Sequence, residues 1–116
     1  MASTFRGLTF DAYDAQATAL FWAAALGRDV APGASAAHAE LLDDASQGFP
    51  RIVFERVGEG RPARNALHLD LVTADLLRES ERLVRLGARR LGGVSAGSGW
   101  VTLTDPEGNA FDLIAA

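Results

Sequence analysis

The sequence predicts an α+β domain of two βαβββ modules that pair into a curved sheet cup, with helices on the outside. Three observations lead there. A pattern of strand, helix and further strands occurs twice, at a spacing of about 60 residues. The strands alternate apolar and ionisable residues, so each has one face for a helix and one face for polar groups. The two helical runs each carry an apolar stripe that can cover such a sheet. Neither half is large enough to close a core alone, so one domain over 1–116 is expected, with module 1 at about 4–57, a linker at 58–64 and module 2 at about 65–116.

The first half opens with LTFDAYD, continues in a helical run ending at Leu26-Gly27, then gives ELLDD to Asp43 and RIVFERV. The second opens with LHLDLVTAD, continues in a helical run ending at Leu86-Gly87, then gives VTLTDP to Asp105 and NAFDLIA. In Leu67 to Leu71 the leucines share one face, and His68 and Asp70 share the other. Phe111 and Leu113 lie opposite Asp112, and Phe54 lies opposite Glu55. The expected stripe of the first helix is Ala17, Leu20, Phe21 and Ala24. That of the second is Leu76, Ser80, Leu83 and Val84, with Arg78, Glu79, Arg82 and Arg85 facing water and Glu81–Arg85 as an i,i+4 pair. Asp14 and Asp75 stand where helix N-caps belong, and Gly27 and Gly87 where helices stop. Asp105-Pro106-Glu107-Gly108-Asn109 reads as a turn joining the last two strands: proline presets one dihedral, and glycine or asparagine takes a positive φ. Residues 31–37, 58–64 and 92–99 read as loops that set the size of the cup.

Composition removes several classes of chemistry. Over 116 residues the formal net charge is −4, which argues against nucleic acid as a partner. There is no cysteine, so disulfides, thiolate nucleophiles and cysteine-held metals are excluded. All eleven basic residues are arginine, which excludes a Schiff-base or P-loop lysine. No apolar run is long enough to span a membrane, and MASTFRGLTF lacks the regions of a signal peptide, so a soluble, cytoplasmic protein is expected. No Ser/His/Asp motif, phosphate loop or dinucleotide fingerprint is present.

The chemistry therefore rests on ionisable residues of the inner strand faces. Asp112 lies mid-strand among apolar residues and needs an ion, an arginine or His68 as partner. A His68–Asp112 hydrogen bond would raise the histidine pKa and make the two an acid/base pair. Glu55 either points into the cup or pairs with Arg51, Arg56 or Arg64. Asp11 and Asp70 share the inward parity but lie near strand ends, where water solvates them. Asn65 and Arg64 precede the His68 strand and are rim candidates for ligand contact; Trp22, off the helix stripe, and Trp100, at the start of a strand, are candidates for a pocket or an interface, with core packing or partial exposure the commoner place for either. His38 has no evident partner and reads as a surface residue.

FWAAALG at 21–27, NALHLDL at 65–71 and DPEGNAFDLI at 105–114 resemble the vicinal oxygen chelate superfamily, above all its short glyoxalase-like proteins. That superfamily also holds bleomycin-resistance proteins, fosfomycin-resistance enzymes and extradiol dioxygenases. The resemblance spans nearly the whole chain and implies paired βαβββ modules. It also implies a divalent ion (Ni, Zn, Mn or Fe) held by four ligands, one from the first and one from the last strand of each module. His68 and Asp112 match the two second-module positions, with aspartate where glutamate is usual. Aligning FERV with FDLI puts Glu55 at the last-strand position of the first module. The fourth position falls on Gly7, counted from Asp14, or on Thr9, counted from LTFD.

Three readings follow. Glu55, His68 and Asp112 hold a metal as the Lewis acid of a lyase or isomerase of the glyoxalase type. Alternatively, the chain binds a small molecule or drug without metal or catalysis, with Thr9, Asn65 and Trp100 among the ligand contacts. In the third, His68 and Asp112 are the acid and base of a metal-free enzyme. The resemblance also implies a homodimer, with the Trp22 side of the first helix as the expected contact.

Overall fold

The computed structural model describes residues 7–42, 51–56, 69–91 and 99–116. The chain divides into two compact units, Met1–Arg61 and Pro62–Ala116. His68, Asn65, Arg64, Asp43 and most of the loops expected at 58–64 and 92–99 lie outside the described residues.

The first unit runs β1 (Gly7–Ala12), α1 (Ala15–Leu26), β2 (His38–Glu40) and β3 (Arg51–Arg56). Its sheet has the order β1-β3-β2, with β1 parallel and β2 antiparallel to β3. An isolated bridge between Val30 and Leu41 extends the β2 edge. Asp14 caps α1 by accepting the Ala17 N–H at 3.1 Å on its carboxylate. Gly27, in the left-handed region, closes the other end. Beyond it, Arg28 is buried and donates from Nε and Nη2 to the Leu42 carbonyl at 3.0 and 2.7 Å, tying the helix exit to the end of β2.

The buried side of α1 is Ala15, Thr18, Ala19 and Trp22, with Phe21 and Ala23 beside it. This corrects the expected stripe, of which only Phe21 is buried; Ala17, Leu20 and Ala24 are exposed. The helix is apolar all round, so periodicity could not choose its inner side. The largest ring chose it. Trp22 is 1% exposed and lies 5.5 Å from Phe10, which stacks on Phe54 at 5.2 Å, while Phe21 meets Trp22 edge-on at 5.4 Å. Alanines at 15, 19 and 23 let the helix approach the sheet around this aromatic centre. Trp22 is thus core, the commoner of the two places expected for it, and its ring is not the outward dimer contact that the resemblance suggested.

The second unit repeats the plan: β4 (Leu69–Thr73), α2 (Leu76–Leu86), β5 (Arg89–Arg90), β6 (Trp100–Thr104) and β7 (Ala110–Ala115). Its sheet order is β4-β7-β6-β5, with β4 and β7 parallel. Asp75 caps α2 through the Arg78 N–H at 3.0 Å. The helix ends at Gly87, where a φ of 123° and the 3.2 Å at which an added Cβ would meet Pro106 Cγ both favour glycine. Ser80 and Leu83 are buried, but Val84 turns outward at 39% exposure, against expectation. The close ion pair on this helix is Glu79–Arg82, a two-pronged contact at 2.6 and 2.8 Å, rather than the expected Glu81–Arg85. The Glu79 hydrogen bond holds the Arg82 guanidinium above its ordinary range, with partial burial acting the other way.

The turn at Asp105 is as expected. The Asp105 carboxylate is 1% exposed and accepts the Glu107 N–H (2.9 Å), the Asn109 N–H (2.9 Å) and the Asn109 side-chain amide (2.8 Å). Gly108 supplies the positive φ. This turn fixes how β6 enters β7, and so which residues stand beside Asp112.

Candidate functional site

Strand pairing defines the open face of each sheet, because directly paired residues point the same way. In the second unit Leu69, Leu71, Val101, Leu103, Phe111 and Leu113 form the apolar face, which α2 covers. The other face carries two parallel rows. Asp70 (β4), Asp112 (β7) and Thr102 (β6) form a polar row; Val72, Ile114 and Trp100 form an apolar row beside it. The Thr102 hydroxyl donates to Asp112 Oδ1 at 2.6 Å. This partner was missing from the sequence reading, because alternation assigns a face but not a neighbour across the sheet. Val72 is 68% and Trp100 50% exposed.

On the first unit the open face carries Gly7 beside Arg51, then Thr9–Val53–Glu40, then Asp11–Glu55–His38. Arg51 grips Glu40 with Nε to Oε1 at 2.6 Å and Nη2 to Oε2 at 3.0 Å. His38 opens β2 directly opposite Glu55, with Nδ1 3.8 Å from Oε1. His38 is exposed, as expected of a surface histidine, but it does have a neighbour: the Glu55 carboxylate opposite it. Gly7, Leu8, Thr9, Arg51 and Val53 line a shallow recess of about 100 Å³. That is smaller than the clefts that hold drug-sized ligands.

Thr9 and Glu55 thus share one face of the first sheet, and Asp112 and Trp100 one face of the second. His68 and Asn65 lie outside the described residues. Among the described residues, no three His, Asp or Glu side chains are gathered as a metal would need.

The repeat also fixes which positions correspond. Gly7 precedes the capping Asp14 by as many residues as His68 precedes Asp75, and both first strands end two residues before their cap. On the same count Thr9 corresponds to Asp70. Thr9 pairs with Val53 and Asp70 with Asp112, so Val53 stands where Asp112 stands and Glu55 lies two residues further on, matching Ile114. The FERV–FDLI alignment differs from this register by two. A slip of two keeps every side chain on its face, so alternation alone cannot detect it. Gly7 and Val53 offer no donor side chain. At Gly7 an added Cβ would lie 2.3 Å from the Arg51 carbonyl oxygen, so the strand pairing itself closes that position to any side chain.

Solved structures share this architecture. A glyoxalase-related enzyme from Fulvimarina pelagi superposes with a TM-score of 0.73 at 17% identity, covering 99% of this chain and 89% of its own. The fosfomycin resistance protein FosX from Listeria monocytogenes gives 0.71 at 16% identity, over 100% and 95%. The bleomycin-binding protein of Streptomyces verticillus gives 0.60 at 19% identity, over 99% of both chains. At these identities the likeness is one of fold. Among curated proteins no sequence matches. The sequence model of the glyoxalase-like domain matches residues 7–114, nearly the full length, and the chain belongs to that family of the vicinal oxygen chelate superfamily.

Proposed function

We propose that this protein binds a small molecule on the ionisable faces of its sheets and does so without the four-ligand metal centre that the superfamily resemblance implies. The observation that carries this is the pairing register. It matches the two first-unit ligand positions to Gly7 and Val53, neither of which can donate to a metal, and β3 backbone blocks the first. The polar groups of that face are turned to other uses: Arg51 to Glu40, and His38 to Glu55. His68 and Asp112 alone would leave a divalent ion with two protein ligands, fewer than the three of a catalytic zinc site. The fold of the bleomycin-binding protein supports binding as a function of this architecture.

A second reading is favoured by Asp112 itself. Its carboxylate is held mid-strand by Thr102 at 2.6 Å on the open face, as a base would be oriented before reaction. With His68 it would form a metal-free acid/base pair.

Calorimetric titration of tag-free protein with Ni²⁺, Zn²⁺, Mn²⁺ and Fe²⁺ tests the first reading. It predicts no stoichiometric binding at micromolar protein; a tight one-to-one isotherm with any of them overturns it. Once a ligand is found, His68→Ala separates binder from enzyme: a binder loses affinity modestly, an enzyme nearly all turnover.

A further inference from the structure

The twelve residues of α1, AQATALFWAAAL, include no charged one. A helix apolar on every side is normally covered on every side. The first sheet and its aromatic cluster take the side of Trp22. The opposite side shows Gln16, Ala17, Leu20 and Ala24 to solvent, with Leu20 56% exposed. Ala17, Leu20, Ala24 and the closing Gly27 follow one another at spacings of three, four and three, the spacing of a seam between two packed helices. The counterpart helix in the repeat, α2, shows what an outer face left to water carries in this chain: Arg78, Glu81 and Arg85 are exposed along it.

The strip on α1 fits a second copy of itself. A two-fold axis sets each residue against the same few residues of the other copy, so a charge near the axis would meet its own like. This strip carries none, in a chain whose net charge of −4 otherwise keeps copies apart. Antiparallel pairing about Leu20 sets Ala17 of one copy against Ala24 of the other and two leucines side by side at the axis. It also brings the end marked by Tyr13, 62% exposed, to the end that closes at Gly27, where an added Cβ would meet nothing within 4 Å. Alanine on both sides of the axis lets the helices approach closely, and antiparallel helices set opposite ends of their dipoles together. Each strip is about 18 Å long and about 10 Å wide, which puts the contact at the low end of specific interfaces and makes the association weak.

We infer that the outer face of α1 is a docking surface for a second copy of this chain, the two helices antiparallel and crossing at Leu20. The contact uses the side of the helix opposite Trp22 and does not depend on the small-molecule reading above.

Sedimentation equilibrium of the full chain from about 5 µM to about 1 mM tests it, with a Kd on the order of 100 µM expected. Leu20→Glu sets two carboxylates at the axis and should weaken association at least about tenfold. Leu77→Glu, at an exposed leucine of α2, should leave it unchanged. Circular dichroism checks that each variant is folded. Raising the salt from about 0.1 to about 0.5 M should not weaken a contact that contains no ion pair. Because the chain has no cysteine, single cysteines can be placed at will. A bismaleimide with a reach of about 8 Å, the spacing of closely packed helices, should join Ala17→Cys to Ala24→Cys in a mixture far better than it joins either variant to itself. That arm decides the matter even if Leu20→Glu does not fold. A chain still monomeric at the highest concentration, which would leave the strip to a different partner, would overturn the inference. So would a dimer that Leu20→Glu leaves intact, that Leu77→Glu weakens as much, or that salt dissolves, and so would cross-linking as strong with Ala17→Cys alone.

Discussion

Replacing Gly7 by alanine, and then by histidine, probes the position where the repeat should carry a ligand. The alanine Cβ would sit 2.3 Å from the Arg51 carbonyl oxygen and 2.9 Å from its Cβ. Real Cβ contacts rarely fall below 3.4 Å, so β1 must move away from β3 by about 1 Å. The obstacle is backbone, and it belongs to the strand that pairs with Gly7, so it yields only by loosening the parallel ladder. Overpacking of this kind costs about 1–3 kcal/mol. With a urea m-value near 1.5 kcal/mol/M, that is a fall of about 0.7–2 M in midpoint. Equilibrium urea unfolding followed by tryptophan fluorescence measures it, since Trp22 lies in the core of the same unit. Gly7→His should be destabilised at least as much and should gain no Ni²⁺ affinity. A midpoint unchanged in Gly7→Ala, or a well-folded Gly7→His that binds nickel tightly, would refute the claim that this position is closed.

Further outcomes follow from the same packing. Trp22→Ala empties the centre of the aromatic cluster with Phe10 and Phe21 and should cost about 3–5 kcal/mol, read by thermal unfolding; its oligomeric state by light scattering should match the parent, because the ring faces the core. Asp105→Ala strips three N–H donors of one buried acceptor and should cost about 2–4 kcal/mol in chemical unfolding. Thr102→Val removes one hydrogen bond to a half-buried carboxylate and should cost only about 1 kcal/mol, while shifting the Asp112 side-chain carbon resonance.

Much of the fold was legible because alternation and caps are local signals. Asp14 and Asp75, the two terminating glycines and the Asp105 turn each act within a few residues, and each does what its chemistry requires. Strand faces were legible for the same reason. The orientation of α1 was not: with apolar residues on every side, only the fit of one indole among Phe10, Phe21 and Phe54 selects the buried face. The site was legible as a set of faces and not as a set of neighbours. Parity put Asp112 and Glu55 on polar faces, yet it could not show that Thr102 holds Asp112 or that His38 stands opposite Glu55. Those contacts are made across neighbouring strands, and the register that brings them opposite one another is not written in alternation. Nor could it fix a register, because a two-residue slip leaves parity intact. Only the ladder from Thr9 to Val53, set against that from Asp70 to Asp112, places Glu55 beyond the position its sequence motif suggests.

The most direct test is a crystal of the tag-free protein soaked in Mn²⁺ and measured at a wavelength where manganese scatters anomalously. The account predicts no anomalous peak bonded to Asp112, and Gly7 still packed on the Arg51 carbonyl. A peak bound jointly by Glu55, His68 and Asp112 would contradict it.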